Sequence, residues 1–273
     1  MLRHKGYLTH APCQRTTIHE MKTALVSTIH EPQLRLLKLL EEYTPRLDFD
    51  DEPRVVAYSP PTHPKMVKAL EGLGYITVPG SESVQSVYTA ALERSLLESP
   101  DHVFYIDLDR LLHWVGKYPE EYQQTRRKAL EHEFTMVGRT PRAFQTHPQT
   151  QTCTEVIANL VASRVLGFKE TRDMIGVCWG LSSPLVRLLL SVPQGDAFGF
   201  FCEWPVVAWR HSTNRAYVEV EGLEWETPDR YEREIEAVGY EAWLKGFMTQ
   251  KEWERRALIL GDIVGALLDL YAP

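Results

Sequence analysis

"VFYIDLDRLLHW", Val103 to Trp114, is an apolar run that stops on two carboxylates. Val103, Phe104, Tyr105 and Ile106 suit a buried strand. Asp107 and Asp109 follow, with Leu108 between them. A charge is costly inside a strand, so the pair marks its end. An Asp-x-Asp there can hold a metal, make a turn, or start a phosphotransfer mechanism. The order of elements around it selects among these.

Upstream, "TALVSTI" (Thr23–Ile29) reads as a strand buried on both sides. "HEPQLRLLKLLEEY" reads as a helix, with Pro32 in its first turn and Leu36, Leu37 and Leu40 on one face. "RVVAYS" (Arg54–Ser59) is a second strand, and "PTHPKMVKALEGLG" a helix capped by Thr62 and stopped at Gly74. "YITVP" is a third strand. The next helix places Val84, Val87, Tyr88, Ala91 and Leu92 on one face, and "VFYID" is then the fourth strand. This alternation predicts an α/β fold with a mostly parallel central sheet flanked by helices. Ligands of such sheets sit outside the carboxyl ends of the strands, where Asp107 and Asp109 fall.

Downstream, "PEEYQQTRRKALEHE" predicts a polar helix and "FTMVG" a strand. "CTEVIANLVASRVLG" predicts an amphipathic helix with Val156, Ile157, Leu160 and Val161 inward. "DMIGVCWGLS" reads as a tight turn around Trp179, "SSPLVRLLLSV" as a short helix, and "AYVEVEGLEWETPDR" contains an alternating strand. From Tyr231 onward the chain reads as a helical extension. Thr249 and Glu252 form a capping box, and Trp253, Ala257, Leu260, Val264, Leu267 and Tyr271 form a seam. The seam is expected to cover the protein's own core; a minority reading has it join two copies as a homodimer.

The chain's 273 residues, 44% hydrophobic, are ample for one large core. A net charge of -7 and a pI near 5.8 argue against a broad nucleic-acid surface. Cys13, Cys153, Cys178 and Cys202 show no paired spacing, which fits a reducing compartment, and no apolar run reaches the roughly eighteen residues of a membrane span. A soluble cytoplasmic protein is expected, with residues 1–20 a loosely ordered extension, 21–230 the functional domain and 231–273 the helical extension.

On a strand, Asp107 and Asp109 would face the same way and Leu108 the other. Two like-facing carboxylates repel unless a cation lies near them, and hard oxygen ligands suit Mg2+ or Mn2+. The bland reading is a capped turn into "RLLHW".

The strand running into "VSTIHEP", the helix of "PGSESVQSVYTAALERSL" and the strand end "VFYIDLDR" together resemble a GT-A fold glycosyltransferase of the family 2 type, over roughly Met21 to Arg230. That resemblance implies a single Rossmann-like GT-A domain. It also implies transfer of a sugar, of hexosyl type, from a nucleotide-sugar donor to a small-molecule or glycan acceptor, with Mg2+ or Mn2+ as cofactor. Asp109 would contact the metal, and Asp107 would position ribose or metal. Thr28, His30 and Glu31 would line the nucleotide pocket. The family's acidic residue after the second strand is replaced by "AYSPPTHP", which offers Ser59, Thr62 and His63. "DAFGFFCEWP" resembles the acceptor segment, which makes Glu203 the expected general base and Trp204 a stacking surface. His211 would be a third metal ligand, and Arg139 and Arg142 would contact diphosphate; for each, an ordinary structural role is the competing reading. Glu155, at a helix start, needs no role beyond the helix dipole. Two rival functions stand beside this one: a non-catalytic sugar-nucleotide-binding protein, and a haloacid-dehalogenase-like phosphatase. The phosphatase ranks below because its motif belongs on a first strand.

Overall fold

In a computed structural model, residues 21–47, 52–193 and 198–270 are described. The expectations for residues 1–20 and for Tyr271 fall outside them. The chain begins β1 (Thr23–Ile29), α1 (Leu37–Tyr43), β2 (Arg54–Tyr58), α2 (Pro64–Gly72), β3 (Ile76–Pro79), α3 (Val84–Leu96), β4 (His102–Ile106), α4 (Leu108–Lys117) and α5 (Pro119–Ala129). It continues β5 (Phe134–Arg139), α6 (Pro141–Gln145), α7 (Gln149–Val165), β6 (Cys178–Ser182), α8 (Ser183–Ser191), α9 (Phe200–His211), β7 (Arg215–Val220), α10 (Glu232–Val238), α11 (Tyr240–Leu244) and α12 (Gln250–Asp269).

One seven-stranded sheet has the order β3-β2-β1-β4-β6-β5-β7. The first four strands are mutually parallel, as the alternation requires. The chain moves outward from β1 to β3 and then returns to place β4 on the other side of β1. The point between β1 and β4 is therefore the topological switch, the place where such sheets open a crevice for ligands. The register Leu25↔Phe104 and Val26↔Tyr105 carries forward to bring Thr28 beside Asp107.

Alternation along β1 and β4 divides the core. Ala24, Val26, Val103 and Tyr105 pack with Trp179, Phe200 and Trp204 on one side; Leu25, Phe104 and Ile106 pack with Leu40, Leu111 and Trp114 on the other. Trp204 is thus a core residue and not a stacking surface.

Four expectations are corrected. The segment 32–36 is a bend, with Leu34 at φ 59°, and the first helix starts only at Leu37. "CWGLS" is a strand, not a turn; it runs antiparallel between β4 and β5, and a Cβ on Gly180 would lie 2.5 Å from the Ala129 carbonyl. On α7, Val156, Ile157 and Leu160 face outward at 48%, 47% and 42% exposure, while Glu155 and Asn159 are buried. Polar residues turn inward there because α7 must satisfy buried charge, as described below. On α12 the inward residues are Ile263 and Leu267, flanked by half-buried Arg256, Ile259 and Leu260, packed on α7 and α9. The expected seam is rotated, and Trp253 is exposed. The Thr249 cap holds, its hydroxyl accepting the Glu252 amide at 3.3 Å.

Candidate active site

β4 ends at Ile106, and Asp107 is the N-cap of α4. Its Oδ1 accepts three hydroxyls: Thr28 at 2.8 Å, Tyr88 at 2.9 Å and Tyr105 at 3.1 Å. Burial raises the Asp107 pKa; the Arg110 charge opposes this, while the Asp109 charge adds to it. Burial also pushes the phenols of Tyr88 and Tyr105 well up, with Asp107 adding to the effect, so both remain neutral donors.

Asp109 lies in the first turn of α4, not on the strand. The like-facing geometry expected of alternating strand residues is therefore replaced by a strand-to-helix corner. Asp109 Oδ1 accepts the Arg110 amide at 2.9 Å, and Oδ2 pairs with Arg230 Nη2 at 3.1 Å. The helix amino terminus favours both carboxylates.

The segment after β7 folds back over this corner. Glu121 accepts the amides of Glu221 and Gly222 at 2.9 and 2.8 Å, and Trp114 Nε1 at 2.8 Å. Gly222 lies flat on Trp114, where a Cβ would come within 1.7 Å of the indole. Gly222→Ala is expected to lose about 1–3 kcal/mol in urea unfolding, because Trp114 is fully buried and cannot retreat. His113 is buried between Asp229 at 2.6 Å and Glu224 at 3.4 Å, tying the segment to α4. Burial alone would raise the Asp229 pKa, but His113 and Lys117 together outweigh that and lower it.

So fixed, the segment presents Glu226 and Arg230 to the corner. Arg230 Nη2 is 3.8 Å from Glu226 Oε1, and Arg110 Nε is 4.0 Å from Glu226 Oε2. Arg110 Nη1 also donates to the Gly176 carbonyl. Burial works against the charge on Arg110 and Arg230, yet the surrounding carboxylates raise both pKa values. Three carboxylates, Asp107, Asp109 and Glu226, thus share two guanidinium groups.

Two clefts meet here. One of about 470 Å³ is lined by Thr28, His30, Ser59, Tyr88, Asp107, Asp109 and Arg230. The other, about 360 Å³, is lined among others by Arg110, His147, Gln151, Glu155, Trp225 and Glu226. Asp107 and Arg230 line both.

Of the residues singled out in the sequence, the structure gathers Thr28, His30, Ser59, Asp107 and Asp109 around the first cleft. His30 Nδ1 and Ser59 Oγ are 2.7 Å apart, and Ser59 Oγ is 3.2 Å from Thr62 Oγ1. Glu31 is 2% exposed, with Oε1 accepting the Gln33 amide, and lines neither cleft. Arg139 is enclosed: Nε and Nη2 donate to Asp173 at 2.6 and 2.9 Å, and Nη2 also reaches Glu155 at 2.7 Å. Its donors are spent within the protein, so it is corrected from diphosphate contact to buried ion pair. Arg142 is exposed and pairs with Glu221 and Glu224. His211 is exposed at the end of α9, just before Arg215, which pairs with Phe134 at the start of β5. That is the opposite edge of the sheet from Asp107, so His211 is not a ligand with it. Glu203, half-buried on α9, has its pKa raised by burial and by Asp269, and lines neither cleft.

Arg110, Glu226 and Arg230 escaped sequence reading. β7 runs parallel to β5, so "GLEWETPDR" after it emerges at the ligand edge, a direction set by the strand pairing and not by any local sequence pattern. His147 was also missed. Burial, then Arg139 and Arg110, push its pKa well down, leaving a neutral imidazole in the second cleft.

No family model and no curated protein matches the chain. Among solved structures it is similar to glucosyl-3-phosphoglycerate synthase from Mycobacterium tuberculosis. Against that enzyme's complex with Mn2+, UDP and glucosyl-3-phosphoglycerate, identity is 14%, coverage 73% of this chain and 70% of the other, and the TM-score 0.48. Against its complex with Mg2+ and UDP the values are 16%, 73%, 69% and 0.47. So loose a likeness leaves function to be read from the site itself.

Proposed function

We propose that this chain is a metal-dependent glycosyltransferase, moving a sugar from a nucleotide-sugar to an acceptor hydroxyl. The observation that carries this reading is the meeting of two clefts at Asp107 and Arg230, on the switch point of the sheet. The first cleft takes the nucleotide-sugar, with His30 and Ser59 toward the nucleoside and Tyr88 beneath it. The second takes the acceptor.

Among the described residues no group of three or more His, Cys, Asp or Glu side chains is gathered as a metal cage. Two carboxylates at an open corner nevertheless suit a hard divalent cation that completes its shell with water and phosphate oxygens. Asp107, held as an acceptor by three hydroxyls, and Asp109 are the residues that would hold it. Such a cation supplies charge neutralisation at a departing diphosphate. Arg110 and Arg230 add fixed positive charge at the same place.

Glu226 replaces Glu203 as the proposed general base. It is the carboxylate of the acceptor cleft that touches the Arg230 junction, whereas Glu155 is pinned by Arg139 at 2.7 Å and faces Arg256 at 3.7 Å. Glu226→Gln is expected to lower kcat about a hundredfold, while Glu203→Gln leaves it near the parent value. Incubation with a panel of nucleotide-sugars, Mn2+ and hydroxyl acceptors, followed by mass spectrometry of the products, tests the reading. Formation of a glycosylated acceptor or of free sugar supports it; nucleotide-sugar binding with neither product assigns the non-catalytic binding protein instead.

A further inference from the structure

We propose that Arg230 is the resident counter-ion of Asp109, and that it must leave this carboxylate for the diphosphate when a divalent cation binds. This rests on the reading of Asp107 and Asp109 as cation ligands. Both Asp109 oxygens are engaged: Oδ1 with the Arg110 amide, Oδ2 with Arg230. A guanidinium 3.1 Å from Oδ2 and a cation bound to that oxygen at about 2.1 Å compete for the same lone pairs and repel each other.

Arg230 is built to move in a way Arg139 is not. Arg139 spreads Nε and both Nη atoms over Asp173, Glu155 and His147. Arg230 makes its contacts with Asp109, Glu226 and Thr227 through Nη2 alone, and its Nε is buried without a hydrogen-bond partner. Spare donors on a charge that lines both clefts are matched by phosphate oxygens, which accept the planar fork in pairs. The turn that bears it is anchored separately, through Asp229 to His113 and Lys117, so the side chain can swing without releasing the segment. Arg230 then closes the boundary between donor and acceptor only when cation and diphosphate are both present.

The test is Mn2+ affinity, read by paramagnetic resonance of the free ion, and the affinity of ADP, GDP and UDP at saturating Mn2+. Arg230→Gln is expected to bind Mn2+ alone about tenfold tighter and the best-bound diphosphate about tenfold more weakly, on the scale usual for coupling between sites. Arg230→Lys, a conservative variant that carries the test should the glutamine variant fold poorly, repeats the diphosphate loss with a smaller Mn2+ gain. Lys128→Gln removes the same charge from the exposed last turn of α5 and serves as the control for bulk electrostatics. Unchanged Mn2+ affinity in both Arg230 variants, or an equal gain in Lys128→Gln, overturns the proposal. If Mn2+ binding survives intact in Asp107→Asn and Asp109→Asn, the underlying cation site itself is wrong.

Discussion

Asp109→Asn is expected to lower sugar transfer about a thousandfold, or about 4 kcal/mol of barrier, while the protein stays folded. The size follows from what is lost: an anionic ligand facing a cation, beside a diphosphate whose charge grows as the bond to the sugar breaks. The fold survives because Asp109 contributes only a helix-start charge and one partly exposed ion pair, each worth about 1 kcal/mol or less. Activity assays at several Mn2+ concentrations, with a thermal melt of the same sample, separate the two effects. A melt near the parent with transfer lost is the expected pair. Transfer within a few-fold of the parent would remove Asp109 from the chemistry.

Arg139→Met is expected to be the most destabilising of these substitutions, at about 3–5 kcal/mol, or roughly 10 °C in Tm. The methionine fills the stem's space but leaves Asp173 and Glu155 buried with their cation gone. Burial alone would raise the Asp173 pKa; Arg139's charge and hydrogen bonds outweigh it and hold the carboxyl near about 2, against an ordinary 3.8. The folded pKa is thus depressed. In the parent this group's stabilisation, about 2 kcal/mol, is fully present above pH about 4 and is lost as pH falls toward 2. Without Arg139 the remaining desolvation raises the pKa, so the sign reverses and acidification below neutral recovers part of the variant's loss. Urea melts between pH 7 and 4 check this. A parent-like stability at pH 7, or a loss that grows on mild acidification, contradicts the buried-pair account.

The parallel half of the fold was legible because β1 and β4 are continuous apolar runs bounded by helices of clear period. The Asp-x-Asp was legible as a ligand-edge feature from strand order alone. Its geometry was not: whether Asp109 continues the strand or opens a helix depends on "RLLHW" packing Leu111, Leu112 and Trp114 inward, a helical spacing that begins immediately after Asp107. α7 was read with the wrong face because Val156, Ile157 and Leu160 outweigh Glu155 and Asn159 in any hydrophobic count. The chain buries the polar pair to satisfy Arg139, at the end of β5, and Asp173, in the segment between α7 and β6. Likewise β6 is short, contains a glycine and runs antiparallel, so neither length nor alternation marks it. The ion cluster of Arg110, Glu226 and Arg230 joins residues more than a hundred positions apart in sequence, and no local pattern announces it.

Isothermal titration with UDP, GDP and ADP, each with and without Mn2+, reads the metal-dependent diphosphate site itself. At least one of them is expected to bind only with the metal, and Asp107→Asn and Asp109→Asn are both expected to abolish that dependence. Failure of all three to bind under any condition, or binding indifferent to Mn2+ and to both aspartates, would contradict such a site.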